Sequence, residues 1–256
     1  MDEITLRSAA DVERLALEWG FLPLFKNGIE GFSIEEHTPD DLWFADDADG
    51  PWEWKGPVIR GWQCAYGRIF DGKAGFVSLQ WLPDLINWRR SCCPIGDATP
   101  DDSGCSRRRT VYDTLVAHES LLSKELKALC GFTRNRRPRT DGAELLDRMV
   151  AHPGRGEGFD TVMGHLQMGT WVFIADFEYA LDRHNHPYGW GLARYATPEA
   201  LYGDGITDAG GRSPAESRRR MLVHLRQLLP GASDAQLSRM LDCRRQMAKT
   251  ARRGGR

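Results

Sequence analysis

The chain has 256 residues, of which 41% are hydrophobic and 27% are charged, and its formal net charge is −2. This composition is ordinary for a soluble globular protein of one large or two modest domains, and no stretch approaches the ~18 consecutive apolar residues that a membrane span needs. The first residues lack the basic and then apolar layout of a signal peptide, so a cytoplasmic location is expected.

Residues 1–93 are predicted to form an N-terminal α+β unit. Ser8 precedes an amphipathic run that stops at Gly20, which indicates a helix with a side-chain cap at its start and a glycine at its end. Two β-prone runs, 64–70 and 74–79, flank an Asp-Gly-Lys turn and predict a hairpin. Trp52 and Trp54 stand at strand spacing, so we also expect a tryptophan-rich hairpin with both indoles on one face.

Residues 94–109, rich in Gly, Asp, Pro and Ser, are predicted to be a linker. Beyond it, 110–205 shows three helical segments and then two strand-like runs, 173–179 and 189–195, which pair as a hairpin. Helix, helix, helix and hairpin is the order of a winged helix, and the basic loop 134–139 lengthens the turn before the third helix. We therefore predict a winged-helix domain over 110–205.

Residues 206–256 are predicted to be a helical extension with a basic tail. Ser213 and Ser233 begin two helices, and the last residues are rich in arginine. Charge is uneven along the chain, because 1–60 hold 14 acidic and 5 basic side chains whereas 212–256 hold 12 basic and 3 acidic ones. Such a split indicates that one end meets a polyanion, or that the two ends attract each other.

Neither the histidines nor the cysteines predict a metal site. His184 and His186 could support metal binding by their spacing, but their neighbours Asn185, Pro187 and Gly189 are typical of a turn, so 182–186 is interpreted as the tip of the wing. The six cysteines form no CxxC pair and no disulfide framework, and reduced thiols are expected. No metal and no cofactor is predicted.

Several segments together resemble the AlkZ-related family of bacterial proteins, which is placed near the AlkZ/YcaQ winged-helix DNA glycosylases. The resemblance covers about residues 19 to 229 and rests on 31–37, 52–59, 65–67, 73–76, 81–84, 87–90, 122–127, 159–161, 166–168, 176–179, 188–191 and 197–199. It implies a winged-helix architecture and a connection with DNA repair. Those glycosylases use a Gln-x-Gln or Gln-x-Asp motif to handle the departing base, and this chain contains neither.

Candidate residues for such chemistry lie in the N-terminal unit. Trp52 and Trp54 could stack on an unstacked base with Lys55 beside them, although tryptophans more often fill cores. Gln80 could hold a base edge and Asp84 could orient water or stabilise an oxocarbenium ion, with the carboxylates Glu35 and Glu36 in reserve. The alternative for Asp84 is a helix cap, because Pro-Asp before an apolar run is a common helix start.

Nucleic-acid contacts are predicted in the second half of the chain. The basic loop offers Arg134, Arg136, Arg137 and Arg139 to phosphates, although a charged loop can also be merely solvated. In the third helix, Thr161, Gly164, His165 and Gln167 are expected to face outward, and His165 and Gln167 are the candidates for hydrogen bonds to bases or phosphates.

Two functions therefore compete at the level of sequence. The first is a DNA-binding winged-helix protein related to DNA repair, with glycosylase-like base excision of damaged DNA as its activity. The second is a non-catalytic winged-helix module for transcriptional regulation or protein–protein contact. A cleft that joins Trp52, Trp54, Gln80 and Asp84 would favour the first function, and their dispersal in separate cores would favour the second.

Overall fold

The computed structural model describes residues 4–43, 49–95, 103–132, 157–181, 183 and 187–243. These residues form a mixed α+β fold around a six-stranded antiparallel sheet. The strands are β1 (Phe21–Pro23), β2 (Cys64–Phe70), β3 (Lys73–Ser78), β4 (Ser120–Leu122), β5 (Phe173–Leu181) and β6 (Pro187–Ala196). Their order across the sheet is β1-β3-β2-β5-β6-β4.

Helices cover both halves of the sheet. They are α1 (Ala9–Trp19), α2 (Ile34–His37), α3 (Pro51–Arg60), α4 (Leu82–Cys92), α5 (Ser103–His118), α6 (Ser123–Leu129), α7 (Phe159–Met168), α8 (Pro198–Tyr202), α9 (Pro214–Leu228) and α10 (Asp234–Leu241). Short 3-10 turns occupy Asp40–Leu42 and Asp204–Thr207. Within the described part of the chain, no helix combines the length and apolarity that a membrane span requires.

Local signals in the sequence produce the predicted N-terminal helix and hairpin. The Ser8 side chain accepts a hydrogen bond from the Asp11 N–H at the start of α1, and Gly20 ends that helix with φ of 76°. The β2–β3 hairpin turns at Asp71-Gly72 and pairs in the predicted antiparallel way, with Tyr66 opposite Phe76. Both predictions are confirmed.

The expected tryptophan-rich hairpin is wrong, because Trp52 and Trp54 lie in α3. Pro51 suits the first turn of a helix, where its missing N–H costs nothing, and the Glu53 carboxylate accepts the Gly50 N–H at 3.0 Å. These two signals favour a helix over the β propensity of tryptophan. As a result, Trp52 and Trp54 point to different sides: Trp54 is only 4% exposed in the main core, while Trp52 is partly exposed.

The strands of the predicted wing pair as expected. β5 and β6 are antiparallel, with Ile174 opposite Tyr195 and Glu178 opposite Leu192, so this prediction is confirmed. The tip histidines, His184 and His186, lie outside the described residues. β6 also pairs with β4 along its other edge, and a second hydrophobic core lies beside this part of the sheet. Its members come mainly from α5, α6 and α7, namely Val111, Leu115, Leu126, Phe159, Val162, Met163 and Leu166.

The sheet is continuous between the two halves of the chain. β2 pairs with β5 through Tyr66 and Ile174, and α5 already begins at Ser103, inside the segment predicted as a linker. The domain division itself stays a prediction. The main core joins the N-terminal unit to α9 and α10, because Met221, Leu225 and Leu237 belong to the same buried cluster as the residues of α1 and α3.

A fully buried arginine connects elements that are distant in sequence. The Arg89 guanidinium, 0% exposed, donates to backbone carbonyls of Ile69, Met168, Met240 and Leu241 at 2.6–3.2 Å. Removal from water disfavours the charged form and lowers the pKa of Arg89 to about 10. β2, α7 and α10 are thereby joined through α4.

The same region contains a disulfide bond. Cys93, at the end of α4, is bonded to Cys243, which follows α10, across a sequence separation of 150 residues. The expectation of reduced thiols is therefore wrong for this pair, because two cysteines far apart in sequence meet where α4 and the C-terminal segment pack together. The basic tail from residue 244 onward lies outside the described residues.

Candidate functional site

The predicted catalytic carboxylate lies in the first turn of α4. Asp84 has no exposed surface, and it accepts hydrogen bonds from Ser217 at 2.7 Å and from Arg212 at 2.8 Å. Arg220 donates to the second carboxylate oxygen, Oδ2. One buried carboxylate thus holds two arginines that come from the start of α9 and the loop before it.

These arginines are partly exposed although their anchor is buried. The side chains of Arg212 and Arg220 are 37% and 38% exposed, against 0% for Asp84. The Arg220 guanidinium also lies 4.1 Å above the Trp81 ring, and Trp81 stacks on His224 at 4.3 Å. This layered group, formed by Asp84, Arg212, Arg220, Trp81 and His224, is called the arginine platform below.

Gln80 lies at the entrance of the same helix. Its side chain is exposed in the turn between β3 and α4, directly before Trp81. Gln80 and Asp84 therefore share one end of α4, but only Gln80 is open to a ligand in this conformation. The catalytic role of both residues stays a prediction.

The reserve carboxylates stabilise local backbone. Glu35 accepts the Lys26 N–H at 2.7 Å, and Glu36 accepts from the Gly31 N–H at 2.9 Å and from the Ser33 hydroxyl at 2.5 Å. These contacts fix the loop before α2. They give both carboxylates a structural role in the N-terminal unit.

Lys55 lies in a separate aromatic cluster on α3. Its ammonium is 4.7 Å from the centres of the Trp52 and Phe177 rings, and Trp52 meets Trp43 edge to face at 5.8 Å. Partial burial lowers the pKa of Lys55, and the nearby charge of Glu53 opposes that shift. α3 thus brings Trp52 and Lys55 together, and their role in binding a base stays a prediction.

The remaining predicted residues do not join that cluster through any described contact. Trp54 faces the main core, and Asp84 contacts α9 and the loop before it. Among the described residues, the contacts of Trp52 and Lys55 and those of Asp84 involve different side chains. The described contacts therefore do not join Trp52, Trp54, Gln80 and Asp84 in a single cleft.

Two of the predicted nucleic-acid contacts are buried. His165 is 8% exposed and Gln167 is 1% exposed, so the expectation that both face outward is wrong. The Gln167 side chain accepts the Arg68 N–H at 3.0 Å and donates to the Met163 carbonyl at 3.3 Å. The cause is that α7 packs between α5 and β2, which covers the face that the sequence assigned to solvent.

Other predicted contacts cannot be placed. Arg134, Arg136, Arg137 and Arg139 lie outside the described residues. Over the part of the chain that the structure does describe, no group of three or more His, Cys, Asp or Glu side chains is arranged to hold a metal ion. His184 and His186 of the predicted wing tip lie outside the described residues.

The sequence alone did not predict the arginine platform. Arg212 and Arg220 lie 128 and 136 positions after Asp84, and nothing local connects them. The one available signal was a run of three arginines, 218–220, at the start of a predicted helix. That run fixes neither the partner of each arginine nor its exposure.

The fold and these groups define an α+β protein with a six-stranded sheet. The helical core lies beside one edge of that sheet, and the arginine platform lies beside its other half. Within that class, the chain belongs to the AlkZ-related family, whose family model matches residues 6–242. No curated protein and no solved structure matches the chain.

Proposed function

We propose that the chain is a DNA-binding protein related to DNA repair, and that residues 103–196 form a winged-helix unit. The observation that carries this proposal is the pairing of β4 with β6. Among the described residues, α5, β4, α6, α7, β5 and β6 follow in chain order the helix–strand–helix–helix–hairpin plan of a winged helix, in which the short strand lies against the last strand of the wing. Membership of the AlkZ-related family supports the connection with repair.

The unit differs from a sequence-reading winged helix in one respect. α7 stands where the recognition helix would be, yet most of its residues are buried, including Val162, Met163 and His165. Base edges in the major groove are read by exposed side chains of that helix. We therefore infer that DNA is held mainly through its phosphates, which requires arginines elsewhere, such as Arg136 and Arg137 of the basic loop.

Glycosylase-like base excision is the finer form of this proposal. Support for it comes from the family and from the aromatic cluster around Lys55, where a ring such as Trp52 could stack on a displaced base. The competing proposal is a non-catalytic winged-helix module in regulation or protein contact. Burial of Trp54 and Asp84 favours that second candidate, because neither side chain is accessible to a ligand in this conformation.

A binding titration tests DNA recognition directly. The full chain is titrated against duplex, mismatched and alkylated DNA at two salt concentrations, and a clear loss of affinity at the higher salt is expected. Replacement of both Arg136 and Arg137 by Ala should flatten the salt dependence by up to about two units of slope, near one for each lost phosphate contact. Absence of binding to all three DNAs would overturn the proposal.

A product assay separates the two candidates. Incubation with alkylated and crosslinked duplexes, followed by cleavage of abasic sites in alkali, reports base excision. Abasic product that depends on Gln80 would support the glycosylase-like activity. DNA binding without abasic product from any of these duplexes would leave the non-catalytic module as the better description.

A further inference from the structure

We propose that Arg212, Arg219 and Arg220 form a phosphate-binding surface for the DNA backbone, a proposal that rests on the DNA binding proposed above. The three arginines line one open groove of about 350 Å³ on α9, together with Glu216 and Val223. Most residues of α7 are buried, His165 and Gln167 among them, which favours a DNA contact on another of the described elements. The start of α9 offers the required chemistry.

Two of these arginines are held in place before any ligand arrives. Arg212 donates to Asp84 through both Nε and Nη2, at 2.8 and 3.4 Å, and Arg220 donates to it through Nη1. Asp84 is itself fixed by the Ser217 hydroxyl, which accepts a hydrogen bond from Asn87 at 3.0 Å. A long side chain normally loses rotamer freedom when it binds a ligand, and this anchoring has already removed part of that freedom.

An aromatic layer within the platform supports Arg220. The Arg220 guanidinium rests on Trp81 at 4.1 Å, Trp81 rests on His224 at 4.3 Å, and His224 forms a hydrogen bond with the Trp19 carbonyl at 2.8 Å. A planar guanidinium that is stacked on a ring keeps its edge N–H groups available. The stack therefore orients Arg220 and leaves some of its guanidinium N–H groups free to donate hydrogen bonds.

Donors remain for an anion. Among the described residues, Nη1 of Arg212 and both Nε and Nη2 of Arg220 have no hydrogen-bond partner. Arg219 is exposed, and its guanidinium has no ion pair with any described residue. Glu216 also lines the groove: its Oε2 accepts the Ser213 N–H and hydroxyl at 2.8 and 2.7 Å, and its charge interacts with those of Arg219 and Arg212.

The shape of the groove favours a backbone phosphate over a small free anion. A site for a small molecule encloses most of its ligand, whereas this groove is open and is lined by three arginines, Glu216 and Val223. Arginine forks match phosphate oxygens in pairs, and phosphates along a nucleic acid can reach several such forks at once. The binding that results would be independent of base sequence and sensitive to salt.

Arg219 gives the cleanest test, because it holds no described ion pair that its removal would break. Arg219→Ala is compared with Arg239→Ala, which removes another exposed arginine without a described ion pair, from a different cavity beside Lys26 and Lys73. Binding of a fluorescein-labelled 20-mer duplex is followed by anisotropy over a salt series. We expect Arg219→Ala to weaken binding about five- to tenfold near 0.1 M salt and to lower the salt slope by about one.

The remaining arms distinguish local contact from general charge. Arg219→Lys should restore most of the slope because it keeps the charge, and Arg239→Ala should match the wild type. Equal effects of both alanine variants, or no effect of Arg219→Ala on a wild type that binds DNA, would overturn this site and leave DNA binding intact. A wild type that binds no DNA would overturn the proposed function as well. An effect of Arg219→Ala on anionic phosphatidylglycerol vesicles alone would assign the groove to lipid and overturn the proposal.

Discussion

Two charged side chains in the core show how differently burial can be compensated. Asp84 is a buried anion whose partners are two partly exposed cations and a hydroxyl. Arg89 is a buried cation whose hydrogen-bond partners are four backbone carbonyls. An unpaired buried charge costs several kcal/mol, so both sets of contacts are required for the native packing of α4. Both residues thereby make α4 the centre of long-range polar contacts.

Replacement of Asp84 by Asn tests the anchoring role against the catalytic one. The amide keeps the shape but leaves Arg212 and Arg220 without a carboxylate, and we expect a loss of about 2–4 kcal/mol in the free energy of unfolding, measured by urea denaturation. If Asp84 also orients water, abasic product should fall by orders of magnitude under conditions where the variant remains folded.

Asp113→Asn is the matched control for that measurement. Asp113 pairs with Arg109 at 2.9 Å on the surface of α5, where both side chains are about half exposed. Exposed pairs contribute little, so a change below about 0.5 kcal/mol is expected. Similar losses for the two variants would contradict the anchoring role of Asp84.

At the scale of single elements, helix caps and turn motifs predicted the structure correctly wherever no other sequence pattern pointed to a different element. Ser8, Ser213 and Ser233 each accept an N–H three residues ahead, as the sequence indicated, and the Asp-Gly turn sets the β2–β3 hairpin. A strand was wrongly predicted at α3, because the spacing of its two tryptophans indicated a strand whereas Pro51 and Glu53 favour the start of a helix. The prediction was also wrong for the outer face of α7, since the covering surface is β2, about 100 residues away.

The contact between α5 and α7 should be sensitive to acid. Arg108 on α5 and His165 on α7 both face Glu157, which lies just before α7, at 2.6 and 3.3 Å. Burial raises the pKa of Glu157, but the nearby His165 ring and the hydrogen bonds from Arg108 outweigh burial and lower it from 4.5 to about 2. A carboxylate with a lowered pKa stabilises the fold above its unfolded pKa, and this contribution disappears as the pH falls towards the folded pKa.

Glu157→Gln should therefore remove stability at neutral pH and little at low pH. We expect the wild type to exceed the variant by about 1–2 kcal/mol at pH 7, with the difference shrinking between about pH 5 and pH 2. Urea denaturation over that pH range provides the measurement. The control is Glu178→Gln, which removes a more exposed partner of Arg194 on the sheet. A difference that is independent of pH would contradict this account.

At the scale of the whole molecule, the decisive contacts are between residues that no local pattern connects. Tyr66 meets Ile174 to continue the sheet, Arg212 meets Asp84 across 128 positions, and Cys93 meets Cys243 across 150. The type of each element follows from residue spacing and helix caps. These long-range contacts depend instead on how the elements pack, and no short segment of the sequence indicates that packing. For that reason the arginine platform and the disulfide were both outside the reach of sequence analysis.

Reduction should destabilise the protein through the unfolded state. A cross-link across 150 residues lowers the entropy of the unfolded chain, which corresponds to about 4–5 kcal/mol in the loop-closure treatment. We expect a reductant to lower the Tm of the wild type but not that of Cys243→Ser. Under denaturing conditions, the unreduced wild type should show two fewer titratable thiols than the reduced protein. Equal thiol counts would contradict the bond.

The disulfide between Cys93 and Cys243 also changes what a protease would reveal. It makes residues 93–243 a covalent ring with two linear tails, one before Cys93 and one after Cys243. A single cut inside the ring opens it but releases no fragment, so such a nick becomes visible on a gel only after reduction. A cut in either tail separates a piece under both conditions. Because α5, α6 and α7 all lie inside the ring, the proposed winged-helix unit would remain tethered to α4 and α10 after a nick in the basic loop.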